Sequence, residues 1–189
     1  MNVILASQSP RRKELLGLFH IPFSIRVADI DESMDETKPA AQEVARVSRV
    51  KAEAIAAGED DIVIAADTIV VLDGHILGKP ASADHAVRML TALSGKAHQV
   101  MTGVTVRKGS RVLTHTEITD VYFRELSEQE IDAYVRTGEP MDKAGAYGIQ
   151  GGAALFAEGI KGDYYNVMGL PVCRLYQMLQ QIAPVEDTL

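Results

Sequence analysis

The stretch Val3-Ile4-Leu5-Ala6-Ser7-Gln8-Ser9-Pro10-Arg11-Arg12-Lys13 decides the fold class. Four apolar residues in succession, 3–6, read as a short strand buried on both faces. Ser9-Pro10 reads as a helix start. A serine side chain satisfies free backbone N–H groups there, and proline is pre-set for the first helical position. The helix it opens runs through Leu15, Leu16 and Leu18-Phe19. A buried strand turning directly into a helix is the building unit of an α/β protein.

The same alternation continues outward. Phe23 to Val27 alternates as a half-buried strand, an acidic loop spans Asp29 to Glu36, and Pro39 starts a long helix to about Ala57 with its apolar stripe at Val44, Val47, Ala54 and Ile55. Ile62 to Ala66 is a second buried strand, leading through Asp67-Thr68 into Ile69 to Leu72. Asp73-Gly74 then marks a hairpin to Ile76-Leu77. Ser82 caps a helix to Leu93, ended by Ser94-Gly95. Strands are expected at Val100–Arg107 and Thr116–Phe123, around a turn at Lys108-Gly109. Ser127 and Glu130 form a capping box for a helix that Gly138 stops. A glycine-rich loop spans Gly138 to Gly152, strands are expected near Ala154–Ala157 and Tyr164–Met168, and a last helix runs from Pro171 to about Ile182. The reading is α/β with a mixed, twisted sheet and flanking helices, one domain over 1–189 with a frayed tail at Val185–Leu189.

Bulk composition narrows the function. With 189 residues, 47% of them apolar, the chain can bury one α/β core, and two small lobes around a cleft are compatible with that length. Its 26 acidic and 19 basic residues give a formal charge of −7. That argues against nucleic acid or an anionic membrane as the main partner. A polyanionic small molecule still fits if the basic residues gather locally. Cys173, the single cysteine, excludes an internal disulfide and reads as a small buried core residue in an apolar run. No segment reads as a signal peptide or approaches the roughly 20 apolar residues of a membrane span, so a cytoplasmic protein is expected.

The strongest local anomaly is again at the start. Arg11, Arg12 and Lys13 occupy a first helical turn, where the helix dipole disfavours cations. An anion docked on the free N–H groups would make sense of them, with Ser7 and Ser9 adding donors. A solvated basic turn is the plain alternative, and strand-to-helix turns in α/β sheets favour the anion. Lys51 falls on the buried stripe of its helix, either snorkelling or pointing its charge into a cleft. Asp67 ends an apolar strand, where a carboxylate can hold a divalent cation or take a proton from water, or serve as a turn or cap residue. Glu32, with Asp29 and Asp31, offers further oxygen ligands or simply a solvated loop. Lys79 follows the hairpin, with its backbone restricted by Pro80. Gly138–Gly152 holds five of the fifteen glycines, and Asp142, Lys143 and Gln150 there either read a base edge or stitch the loop.

Several chemistries are missing. Gly95-Lys96 is not part of a G-x-x-x-x-G-K-[ST] loop, and there is no G-x-S-x-G elbow or H-E-x-x-H. His20, His75, His85, His98 and His115 lack metal-ligand spacing.

Taken together, Ala6-Ser7-Gln8-Ser9-Pro10-Arg11-Arg12, Ala66-Asp67-Thr68-Ile69-Val70, Gly78-Lys79-Pro80, Ser94-Gly95-Lys96-Ala97-His98, Asp142 to Gly151 and Asn166-Val167-Met168-Gly169-Leu170-Pro171 resemble the Maf family in order and over nearly the whole chain. The resemblance implies an elongated, two-lobed fold related to inosine-triphosphate pyrophosphatases, with a central cleft and a homodimer. It implies Mg²⁺- or Mn²⁺-dependent cleavage of nucleoside triphosphates to the monophosphate and pyrophosphate. It assigns Asp67 as catalytic base, with Ser7, Arg11, Arg12, Glu32, Lys51 and Lys79 handling phosphate and metal, the metal held by Glu32 and Asp67. Arg12, Thr68 and Gln150 match the branch that acts on dTTP and UTP. The family is also associated with septum formation and cell-division arrest. A phosphomonoesterase, or a nucleotide-binding regulator of division without turnover, are the competing expectations.

Overall fold

The computed structural model describes residues 2–183, so the expected tail at 185–189 lies outside the described residues. The strands are β1 (Val3–Leu5), β2 (Phe23–Ile25), β3 (Ile62–Leu72), β4 (His75–Leu77), β5 (Ala97–Lys108), β6 (Arg111–Phe123) and β7 (Ala157–Lys161). The helices are α1 (Pro10–Gly17), α2 (Ala40–Glu53), α3 (Ala83–Leu93), α4 (Glu128–Arg136), α5 (Tyr164–Met168) and α6 (Val172–Ile182). Among the described residues seven strands form one sheet, in the order β2-β1-β3-β5-β6-β7 with β4 paired to β3. The sheet is mixed, as expected: β1 runs parallel to β2 and to β3, while β3–β4 and β6–β7 are antiparallel. The chain divides into two compact units. The first comprises Met1–Asp67, Thr102–Glu117 and Gly169–Leu189; the second comprises Thr68–Met101 and Ile118–Met168.

In the first unit β1 lies between two parallel partners, which is why its residues are apolar without alternation. Ile4, Ala6, Val63 and Ala65 pack with Ala52 and Ile55. Helix α2 stops at Glu53, short of the expected Ala57. Arg107 takes up the Ala52 and Ile55 carbonyls there, at 3.1 and 2.6 Å. Gly103 of β5 lies directly under this helix, so that a Cβ there would collide with the Val44 carbonyl oxygen. Edge strand β2 is shorter and more exposed than its alternation suggested, with Ser24 and Ile25 open to solvent. Cys173 is exposed, not buried. It falls on the face of α6 opposite Leu175, Met178, Leu179 and Ile182, which point inward.

In the second unit the turn signals hold. Asp73 and Gly74 both adopt positive φ (50° and 83°), as a two-residue hairpin requires. Ser82 caps α3, and Ser127 with Glu130 completes the capping box of α4. The core joins Val70, Leu90, Leu93, Phe123, Tyr134, Tyr147 and Phe156. Two expectations are corrected. Residues Gly152–Leu155 form a 3-10 turn, and the strand begins only at Ala157, opposite Phe123. Tyr164–Met168 is a helical turn, not a strand. Asp163 accepts the Tyr165 N–H at 2.8 Å, and buried Asn166 donates to the Val100 carbonyl and to Thr119 Oγ1, both at 3.0 Å. These side-chain hydrogen bonds, two of them to the backbone, override the strand reading.

Candidate active site

The turn after β1 is built as its residues suggested. Ser9 caps α1, its hydroxyl accepting the Arg12 N–H. Ser7 is buried, and its Oγ accepts the Ser9 N–H at 3.2 Å and an Arg12 Nη1 proton at 3.3 Å. Arg12 also donates Nε to the Gly169 carbonyl at 2.8 Å. Burial lowers the pKa of the Arg12 guanidinium, the Asp67 charge opposes this, and neighbouring Arg11 adds to the lowering. A partly desolvated cation beside a second cation is a site that an anion relieves.

Lys51 resolves in favour of a charge directed inward. Its Nζ donates to Asp67 Oδ1 at 2.7 Å and meets Glu32 Oε2 at 2.9 Å. The Lys51 and Asp67 side chains are only 14% and 13% exposed, whereas Glu32 is 58% exposed. The Lys51–Asp67 pair is therefore held away from solvent, and Glu32 reaches it from the surface. Asp67 is neither a turn nor a cap residue: β3 continues unbroken from Ile62 to Leu72 through it. Alternation along that strand sends Thr68 to the opposite face from Asp67.

Glu32, Lys51 and Asp67 thus form one ion-paired group and Ser7 and Arg12 one hydrogen-bonded pair, both in the first unit, with the charges of Asp67, Glu32 and Arg11 acting on Arg12. Thr68, Lys79 and Gln150 belong to the second unit, where Lys79 and Gln150 are exposed. Asp31 is occupied locally, accepting the Ser33 N–H at 2.9 Å, and that bond holds its carboxyl below the usual range. Among the described residues no three His, Cys, Asp or Glu side chains gather as a metal group. Two carboxylates do converge, Glu32 and Asp67, and the cation between them is the Lys51 ammonium. A pair of carboxylates suits a hard divalent ion that keeps water and takes its other ligands from phosphate.

Some contributors were missed in the sequence. Glu43, buried in the first turn of α2, accepts the Asp35 N–H at 2.9 Å and pairs with Arg46, which donates to the Ser33 carbonyl at 2.6 Å. The pairing with Arg46 and the Asp35 N–H hold its carboxyl below the usual carboxylate range. These bonds pin the acidic loop immediately beyond Glu32. The available signal was the Glu43–Arg46 spacing of three, which reads as an ordinary surface pair. The Gly169 carbonyl was missed too, because a backbone acceptor carries no side-chain signature.

Comparison with known proteins identifies the family. The family described as Maf-like protein matches residues 2–182. The chain is 50% identical over 179 residues to the dTTP/UTP pyrophosphatase of Bacillus cytotoxicus, covering 94% of each chain. It is 49% identical over 184 residues to the dTTP/UTP pyrophosphatase of Alkaliphilus metalliredigens, covering 95% of each. Among solved structures, a HAM1 protein from Coxiella burnetii superimposes with a TM-score of 0.51 at 13% identity, over 96% of this chain and 99% of that one, which is a likeness of fold. With the serine–arginine turn, the Lys51–Asp67–Glu32 cluster and matches of this extent, the chain belongs to the Maf-like protein family.

Proposed function

We propose that this chain hydrolyses dTTP and UTP to the nucleoside monophosphate and pyrophosphate. The observation that carries the reading is the pairing of a desolvated Arg12, tied to Ser7, with the Lys51–Asp67–Glu32 cluster in one unit. A triphosphate brings about four negative charges, so the basic residues answer the objection raised by the acidic chain as a whole. Arg11, Arg12 and Ser7 bind phosphate oxygens and stabilise the charge that develops on departing pyrophosphate. Lys51 adds a cation to the same polyanion, and the family resemblance gives Lys79 a phosphate-handling role as well. Asp67 takes the proton of the attacking water, its carboxylate oriented by the Lys51 ammonium at 2.7 Å. Glu32 and Asp67 would hold Mg²⁺ or Mn²⁺, which supplies polarisation of phosphate oxygens and acidification of a bound water.

Base choice follows from Gln150, Thr68 and Arg12. A glutamine amide offers a donor and an acceptor to a pyrimidine imide, and a group left unpaired against the wrong base costs about 1–3 kcal/mol. The relatives, dTTP/UTP pyrophosphatases at about 50% identity over nearly the whole chain, support dTTP and UTP as the substrates. The reading includes a cytoplasmic homodimer, whose mass light scattering would measure. The central experiment is a panel of dTTP, UTP, CTP, GTP and 7-methyl-GTP with Mg²⁺ or Mn²⁺, with pyrophosphate and phosphate read separately. Monophosphate and pyrophosphate formed in one step, fastest with dTTP and UTP, is the expected result. A transient diphosphate would point to a phosphomonoesterase, and a lack of turnover to a binding regulator.

A further inference from the structure

Gln150 stands in a turn whose backbone is held on both sides by residues outside the cluster described above. The Gly151 N–H donates to the Gly148 carbonyl at 3.1 Å, closing the chain over Ile149 and Gln150. On one side the Gly148 N–H donates to Tyr134 Oη at 3.1 Å; on the other the Gly152 N–H donates to Glu139 Oε2 at 3.1 Å. Tyr134 Oη in turn donates to Glu139 Oε1 at 3.0 Å. One phenol and one carboxylate therefore make a single bridge with an end on each flank of the turn.

The fit leaves no room for side chains. A Cβ at Gly151 would fall on Glu139 Oε1, one at Gly152 would meet the Tyr134 ring at 3.1 Å, and one at Gly148 would meet the Lys143 stem at 2.7 Å. The bridge is itself anchored. Tyr134 is buried on α4 with its ring edge-on to Phe156 at 5.1 Å. Glu139 donates its N–H to Thr137 Oγ1 at 3.2 Å and accepts Lys143 Nζ on its carbonyl at 2.7 Å. Burial, against the Gly148 N–H, pushes the Tyr134 hydroxyl pKa up, so it remains a proton donor at neutral pH.

Such rigidity exceeds what an exposed five-residue turn needs for its own sake. A glutamine that reads a base edge has to be held to within a fraction of an ångström, and its own rotamers cannot supply that if the backbone beneath it moves. We propose that Tyr134 and Glu139 are positioning residues for base selection: they fix the turn at 148–152, and with it the point from which Gln150 meets a pyrimidine ring. The inference rests on the reading of Gln150 given under Proposed function.

The test is a double-mutant cycle on the full chain: wild type, Tyr134→Phe, Glu139→Gln, Gln150→Ala, and Tyr134→Phe combined with Gln150→Ala. The readouts are kcat and KM for UTP and GTP, together with a melting curve. Gln150→Ala is expected to lower the UTP-to-GTP ratio of kcat/KM about tenfold. Tyr134→Phe is expected to lower it by a similar factor, through a raised KM for UTP, with kcat for UTP within about threefold of wild type. The combined variant is expected to match Gln150→Ala alone, because the two act through one device. Glu139→Gln keeps a single acceptor and should fall between, and it serves if Tyr134→Phe does not fold. A ratio in Tyr134→Phe and Glu139→Gln equal to that of wild type, with only the melting curve moved, overturns the inference. So does a combined variant whose loss is the product of the two single losses. A wild type that does not turn over UTP, or a ratio untouched by Gln150→Ala, overturns the functional reading and this inference with it. The wild-type and Gln150→Ala arms therefore tell the two failures apart.

Discussion

In the first unit the residues that point to chemistry are charged and act on one another: Lys51 meets two carboxylates, and Arg12 feels the charges of Asp67, Arg11 and Glu32. In the second unit the loop bearing Gln150 is held by a phenol, a carboxylate and peptide N–H groups, and its core is a set of edge-on aromatic contacts among His98, Phe123, Tyr147 and Phe156. The first arrangement suits moving charge and protons; the second suits holding a shape. The difference teaches that turnover at Asp67 and selectivity at Gln150 should respond to separate mutations, with Arg12 the residue shared between them.

The sharpest way to break that separation is Asp67→Asn. The amide keeps the size of the side chain and loses the base, so kcat is expected to fall roughly 10²-fold or more for every nucleotide alike. Steady-state assays across the panel check this. A loss confined to pyrimidine substrates would mean that Asp67 itself also selects.

Next in size is a pH effect that belongs to the second unit. His98 is buried against the Tyr147 hydroxyl at 2.7 Å, and burial lowers its pKa to about 4. Between about pH 4 and 6.5 the unfolded chain binds a proton that the folded chain refuses, so stability falls as pH falls through that window. From pH 7 to 5 the loss is about 2 kcal/mol. Urea unfolding midpoints at the two pH values should show it, and His98→Phe should flatten the dependence even though it leaves the Tyr147 hydroxyl without this partner. A slope that survives the substitution would place the titrating group elsewhere.

Smaller again is Gln150→Ala, expected to change the kcat/KM ratio of UTP to GTP about tenfold while kcat in the first unit's chemistry persists. Competition assays with mixed substrates measure that ratio directly. The smallest effect is expected at Cys173→Ser. The thiol is exposed on the outer face of α6, so stability should stay within about 0.5 kcal/mol, and thermal melting suffices to check it.

What was legible in the sequence divides along physical lines. Signals written in the local backbone were readable: Ser9-Pro10 at a helix start, Asp73-Gly74 at positive φ, and the Ser127–Glu130 capping box all act over a few residues. Signals set by distant partners were not. Tyr164–Met168, aromatic and apolar around a single polar residue, reads as a strand, yet Asn166 bonds to residues that lie far away in sequence and the segment is helical. Asp67 reads as a strand end because a carboxylate in mid-strand is costly; Lys51, sixteen residues earlier, is what makes it tolerable. The site residues were individually visible as misplaced charges, but their assembly was given only by the family resemblance. The Tyr134–Glu139 bridge had no local signature at all, since a tyrosine on the buried stripe of a helix looks like core.

Gly103 offers a different kind of consequence. The Val44 carbonyl of α2 rests where its side chain would begin, and the same helix delivers Lys51 two turns further on. The glycine works as a spacer gauge, setting how near the ammonium comes to the strand that bears Asp67. Even one methyl group at 103 would collide with the Val44 carbonyl, and relief by lifting the helix would withdraw the lysine. A survey of tolerated substitutions scored by turnover would therefore rank this buried glycine alongside the residues that handle the nucleotide, although it has no functional group to offer one.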